Sequence, residues 1–249
     1  MSDLPSRPLK LRGSSISYFT GKMENYFRLK GIPYQLEAMD FPSEVKRNRE
    51  RVGVSQMPVV GLPDGRWMTD TTKMIQWFET EYPQNPVVPE DPVLAYICYL
   101  LEDWADTTLA MAGRSSLVQA AALDPELRVA LLPDGLPDPV RSVMGVIPGG
   151  WVSNITELVN QKERTELLAS LEQLASSVQT SPWLVGDSMT LADIAVAAQL
   201  SLLRFPSSAG SALAGKGVPG LSDHPKLQPL FQWRDQIELK LMERTLEEV

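Results

Sequence analysis

The chain has 249 residues, a net charge of -8 and a pI near 4.8, with 43% hydrophobic and 22% charged side chains, proportions that build packed cores without covalent staples. One cysteine, Cys98, and one histidine, His224, exclude an intramolecular disulfide and any Cys/His zinc cluster, so no metal is expected. The negative balance, with no basic run interleaved with aromatics, argues against a nucleic-acid partner, although a local patch can still attract an anionic ligand.

The first residues, Met1 to Gly13, place prolines and charges where a secretory leader needs an apolar stretch, so a cytoplasmic location is expected. Leu9 to Arg12 alternates apolar and basic residues and reads as a strand running into a turn. Tyr18, Met23, Tyr26, Phe27 and Leu29 recur at helical spacing, and Gly31 with Pro33 supplies a stop. Tyr34 to Met39 alternates as a second strand, which makes a βαβ opening with a parallel pair. Ser43 to Val52, rich in Glu, Lys and Arg, reads as a solvated helix or loop rather than a binding surface. Met57 to Leu62 is an apolar strand, Pro63-Asp64-Gly65 a turn, and Arg66 to Met68 the return strand of a hairpin. Thr69 or Asp70 can cap a helix carrying Met74, Ile75, Trp77 and Phe78 that ends before Pro83.

Three prolines between Pro83 and Pro89 mark a linker, which divides the chain into residues 1–83, a linker at 84–90 and a helical domain at 91–249. After it the pattern turns helical, with Leu94, Ile97, Leu100, Leu101 and Trp104 on one face of a long helix and Cys98 as a buried small hydrophobe. Residues 132–139 and 207–220 read as loops. Asn154-Ile155-Thr156 fits a glycosylation acceptor that has no meaning without export. Thr190-Leu191-Ala192-Asp193 is a variant capping box opening a helix with Leu191, Ile194, Ala195, Ala198 and Leu202 as its stripe.

Four segments in this order carry a resemblance to the soluble glutathione transferases over nearly the whole chain: Gly13 to Ser17 with Lys30-Gly31-Ile32-Pro33-Tyr34, then Gln56 to Val60, then Thr69-Asp70-Thr71, and Leu184 to Asp187 leading into Thr190 to Asp193. The resemblance implies an α/β thioredoxin-like N-terminal domain followed by an all-α C-terminal domain. It also implies glutathione as co-substrate, a small electrophile as second substrate, and a homodimer.

Within that family the residue before a cis proline pairs through its backbone with the cysteinyl part of glutathione, a role that falls on Met57 before Pro58, with Gln56 adjacent. Asp70 and Thr71 stand where the family has an acidic residue or glutamine followed by serine, at a helix N-terminus suited to the γ-glutamyl end; Asp70 also reads as a simple N-cap. The family's thiol-activating serine falls on Ser17, whose hydroxyl would stabilise the thiolate, with Tyr18 and Thr20 as rivals and helix capping as the alternative role. Tyr18, Asp103, Trp104 and Thr107 are candidates for the electrophile pocket, the duller reading being a core tryptophan beside solvated acids. Two other functions share these residues: a non-catalytic protein-interaction module of the same fold, and a glutathione-dependent lyase or isomerase.

Overall fold

The computed structural model describes residues 4–14, 16–39, 42–53, 56–132, 136, 139, 141 and 161–247. Ser15, most of the loop expected at 132–139 and the Asn154-Ile155-Thr156 triplet lie outside them. The chain groups into two compact units, one of Met1–Tyr99, Val185–Ile194 and Glu238–Val249, the other of Leu100–Leu184 and Ala195–Ile237. No helix among the described residues is long and apolar enough to cross a membrane.

The first unit is built on a four-stranded sheet. Its elements run β1 (Leu9–Gly13), α1 (Tyr18–Lys30), β2 (Tyr34–Ala38), α2 (Pro42–Val52), β3 (Val59–Gly61), β4 (Trp67–Thr69) and α3 (Thr71–Glu81). Spatial order is β2-β1-β3-β4. β1 lies parallel to β2 with Leu11 beside Leu36, and antiparallel to β3 with Leu11 beside Val60; β4 returns antiparallel with Met68 beside Val60.

Local chemistry sets the element ends. Gly31, at φ 77°, closes α1 in the left-handed conformation, where its N–H donates to Phe27 O. β3 is shorter than the run from Met57 to Leu62, because Pro58 has no N–H to give to a ladder. The return strand starts one residue later than its sequence pattern, since the Arg66 N–H is held by Asp64 Oδ1 (2.9 Å) inside the turn. Leu9, Leu11, Met23, Tyr26, Phe27, Val60, Met74, Ile75 and Phe78 form the core, with Phe27 and Phe78 edge to face at 5.3 Å.

Two lysines break the apolar stripe of α1, and both are fully buried. Lys22 donates to Thr71 Oγ1 (3.4 Å) and Lys30 to Glu79 Oε1 (2.6 Å). Glu79, on α3, also accepts from the Tyr26 hydroxyl (2.8 Å) and from the backbone N–H of Val87 (2.9 Å) and Val88 (3.4 Å). Burial, and after it the Glu79 charge, drives the Tyr26 phenol far above its ordinary pKa, so it stays a neutral donor. Asn85 Nδ2 adds a bond to Lys30 O (3.2 Å). The proline-rich segment is therefore fastened to α1 and α3.

The remaining elements are helical: α4 (Pro92–Trp104), a π-turn (Ala105–Leu109), α5 (Ala110–Leu123), α6 (Pro125–Ala130), α7 (Gln161–Thr180), α8 (Leu191–Leu200) and α9 (Gln228–Glu247). On α4 the stripe expected to be covered is only partly so. Ile97 is 37% and Leu100 52% exposed, with Val93 and Tyr96 open beside them, while Cys98, Glu102, Ala105 and Leu109 are buried. Helical periodicity marks an apolar face without saying what covers it.

α8 is buried on every side from Leu191 to Leu200, as a helix apolar all round must be. Asp193 reaches back to Thr190 as expected of the variant box: its Oδ2 accepts the Thr190 N–H (2.8 Å) and also the Thr190 hydroxyl (2.9 Å). The Leu191 N–H donates to Val87 O (2.9 Å).

Candidate functional site at one end of the sheet

The strand pairings bring three separated segments to the same end of the sheet. One residue beyond the Val59–Thr69 pair stand Pro58 and Asp70, and one further Met57 and Thr71. On the other side, Arg12 pairs with Val59, which sets Gly13 and the turn leading to Ser17 beside Pro58. The Met57–Pro58 bond is cis, in accord with the sequence expectation. Gln56 is exposed, Met57 half-buried and Pro58 buried.

Both helices that leave this end begin with a side-chain cap. Ser17 is the N-cap of α1, with its oxygen accepting from the Thr20 N–H at 3.4 Å, and the helix begins at Tyr18. Asp70 is the N-cap of α3 and accepts from the Lys73 N–H (3.2 Å). Two helix N-termini at one sheet end give a field that favours negative charge.

Asp70 holds φ 72° and ψ 105°, a region costly for any residue with a Cβ. The hairpin return and the α3 start impose it, and the carboxylate is left largely exposed at 44%. Thr71 is buried, and Lys22 Nζ reaches its hydroxyl oxygen (3.4 Å) from α1. A lysine donates only, so Thr71 Oγ1 is the acceptor there and its own proton is directed elsewhere.

Thr20 is 1% exposed, and a Cβ on Gly13 would come within 2.7 Å of its Cγ2, so the two residues are packed face to face; its buried hydroxyl has no hydrogen-bond partner among the described residues. Tyr18 is half-buried with its ring 4.7 Å from that of Phe19. Asp103 and Thr107 are exposed on the end of α4 and the π-turn, where the Thr107 hydroxyl donates to Asp103 O (2.6 Å), and Trp104 is half-buried between them. These last three belong to the second unit, Tyr18 to the first. The structure therefore gathers Ser17, Met57, Pro58, Asp70 and Thr71 at one sheet end, with Asp103, Trp104 and Thr107 grouped separately.

Lys22 escapes sequence reasoning, although a signal was present. A lysine one position before Met23 and four before Tyr26 sits inside the buried stripe, where an ammonium needs a partner.

A thioredoxin-like sheet followed by a helical region is the two-part architecture of the soluble glutathione transferases. Family models agree: that for the glutathione S-transferase N-terminal domain matches residues 11–86 and that for the C-terminal domain residues 125–232. The chain belongs to the glutathione S-transferase family.

Among curated relatives, Glutathione S-transferase U2 of Arabidopsis thaliana is 24% identical over 112 residues, 45% of this chain and 50% of that protein. The chain thus spans about half the length of the curated relatives it matches. Among solved structures, the beta-etherase LigF of Sphingobium superposes with TM-score 0.65 at 18% identity, covering 98% of this chain and 100% of that one. A Methylobacillus flagellatus glutathione S-transferase with GSH bound gives 0.56 at 18% identity, with 95% and 98% covered.

Proposed function

We propose that this protein is a cytoplasmic glutathione transferase that binds reduced glutathione at the sheet end formed by β1, β3 and β4 and activates its thiol for attack on a small electrophile. The glutathione-binding domain is taken as residues 1–83, the linker as 84–90 and the helical domain as 91–249. The observation that carries the reading is that Met57, Asp70, Thr71 and the first turns of α1 and α3 lie at the same end of the sheet. Met57 offers an unladdered N–H and C=O to the cysteinyl backbone as an added strand would. Asp70 takes the γ-glutamyl ammonium. Thr71 and the α3 N-terminus take its carboxylate.

Ser17 keeps a proton for the thiolate. Capping uses one lone pair of its oxygen, so the O–H remains a donor. Donation to sulfur favours the charged form and lowers the thiol pKa. Tyr18, Asp103, Trp104 and Thr107 keep the role of electrophile contacts in this reading.

Titration calorimetry with glutathione tests the proposal, and two Asp70 variants make the test specific. Asp70→Ala is expected to lose about 1 kcal/mol of stability through the missing cap and to weaken glutathione by about tenfold or more through the missing charge-assisted bond. Asp70→Gly is expected to weaken glutathione equally while leaving the fold as stable or more so, because glycine relieves the positive φ. If both variants bind as the native chain does, Asp70 is only a cap; if the native chain releases no heat and gains no melting temperature with glutathione, the interaction-module reading replaces this one.

The exposed face of α4 supports a homodimer. Val93, Tyr96, Ile97 and Leu100 follow one another at helical spacing and are 65%, 68%, 37% and 52% exposed, a contiguous apolar stripe of the kind that marks a protein contact. Sedimentation of a Tyr96→Asp, Leu100→Asp chain is expected to show half the native mass with unchanged helicity. A native chain sedimenting as a monomer overturns the dimer.

A further inference from the structure

We propose that the pocket between α2 and the sheet is a second ligand site, one that takes inorganic phosphate and recognises it by its charge together with its remaining O–H. The pocket has a volume of about 170 Å³ and is lined by Arg12, Glu37, Glu44, Arg47, Asn48 and Arg51 with two neighbouring apolar residues. None of these belongs to the glutathione set, so the two sites stand or fall separately.

The charge-rich run that reads as a solvated face in the sequence is organised by the helix. Positions 44, 47, 48 and 51 fall on one side of α2. Arg47 has only a backbone contact, Nε to Ser43 O at 3.4 Å, and neither it nor Arg51 has an ion-pair partner among the described residues. Arg12 is buried at 8%, donates through Nε to Glu37 Oε2 (2.6 Å), and lies 4.4 Å over the Trp67 ring. Glu37 is held by Lys10 as well (3.2 Å), so its charge is compensated twice. Burial acts to raise its carboxyl pKa, but the bonds from Arg12 and Lys10 outweigh that and hold it below the usual range. The guanidinium groups of Arg47 and Arg51 are thus the uncompensated charges of the pocket, in a protein whose overall balance is negative. Guanidinium forks match the geometry of an oxyanion.

The second observation is Asn48. It is 3% exposed, and its side-chain oxygen is buried with no hydrogen-bond partner, a state that a ligand donor would relieve. An arginine pair on an anion and a buried acceptor facing the same space select an oxyanion that still carries a proton. Phosphate carries one at neutral pH. Sulfate, of the same shape and charge, does not.

Titration calorimetry of the full chain at fixed ionic strength, with inorganic phosphate, sulfate and phosphoserine as separate titrants, tests this. Phosphate is expected to bind about tenfold more tightly than sulfate, and phosphoserine, whose phosphate has largely lost its second proton at neutral pH, is expected to bind no better than sulfate. Arg47→Gln with Arg51→Gln is expected to weaken both anions. Asn48→Leu is expected to drop phosphate to the level of sulfate, with a melting temperature in anion-free buffer equal to or above the native one, since an unpaired buried acceptor is removed. No binding of any titrant at millimolar concentration, equal affinities for phosphate and sulfate in the native chain, or selectivity retained in Asn48→Leu would each overturn the proposal.

Discussion

Replacing Glu79 by Ala is expected to destabilise the chain by about 3–5 kcal/mol, the loss typical when one member of a buried pair is removed, read as a lower midpoint in urea with an unchanged slope. Lys30 has no exposed surface, and Glu79 retains 15%. Without the carboxylate, the Lys30 ammonium keeps only the Gln84 carbonyl (3.1 Å), and the Tyr26 hydroxyl and the Val87 N–H lose their acceptor. The cause is an uncompensated charge, so removing both charges should cost less than removing one. Lys30→Met with Glu79→Gln is expected to recover a large part of the loss, because glutamine can still accept from Tyr26 and Val87. A double variant as unstable as Glu79→Ala would show that packing of the proline-rich segment, and not the ion pair, sets the effect.

Ser17→Ala is expected to lower transferase turnover by about 10 to 100-fold, or about 1.4 to 2.7 kcal/mol, with little change in glutathione affinity. In the proposed mechanism that hydroxyl donates to the thiolate, so the thiol pKa of bound glutathione should rise and the pH–rate profile should move to higher pH. The same substitution removes the α1 cap, at a cost of about 1 kcal/mol in stability. Ser17→Thr separates the two roles by restoring a hydroxyl. Thr20→Ala is expected to be active, since that side chain is packed against Gly13, and Tyr18→Phe is the remaining control. Full activity in Ser17→Ala would pass the role to Tyr18 or, if all three variants are active, to backbone N–H groups at the α1 N-terminus.

What was legible in the sequence was what local chemistry dictates. The alternation of Leu9 to Arg12, the Gly31 and Pro33 stop, the turn at Asp64-Gly65 and the Asp70 cap each write their structure within a few residues, and together they gave the βαβ and ββα halves of the sheet. Met57-Pro58 was legible because proline has so few places in an apolar strand. The pairings hidden from a local reading are distant ones, Lys22 with Thr71 and Lys30 with Glu79, each separated by 49 positions. Their only trace was a charge on an apolar stripe. α4 is a mixed case: its periodicity was right, and of the face it marks Leu94, Leu101 and Trp104 are half-buried while Ile97 and Leu100 are exposed. In α2 the solvated helix was read correctly, and what stayed hidden was Asn48, since nothing in a run of Glu, Lys and Arg says that it is buried beside a cavity.

The first unit is assembled from three stretches of chain, Met1–Tyr99, Val185–Ile194 and Glu238–Val249, and this bears on the timing of synthesis. At about 5–20 residues per second on the ribosome, the stretch from Leu100 to Ile237 takes on the order of ten seconds to emerge. During that interval the sheet and its helices are complete in sequence but not in partners. The Val87 carbonyl waits for the Leu191 N–H, and the Leu29 carbonyl for Arg244 (3.3 Å), the last of these bonds to become available. A nascent chain stalled before residue 238 would present a nearly finished sheet with water in place of the Arg244 guanidinium.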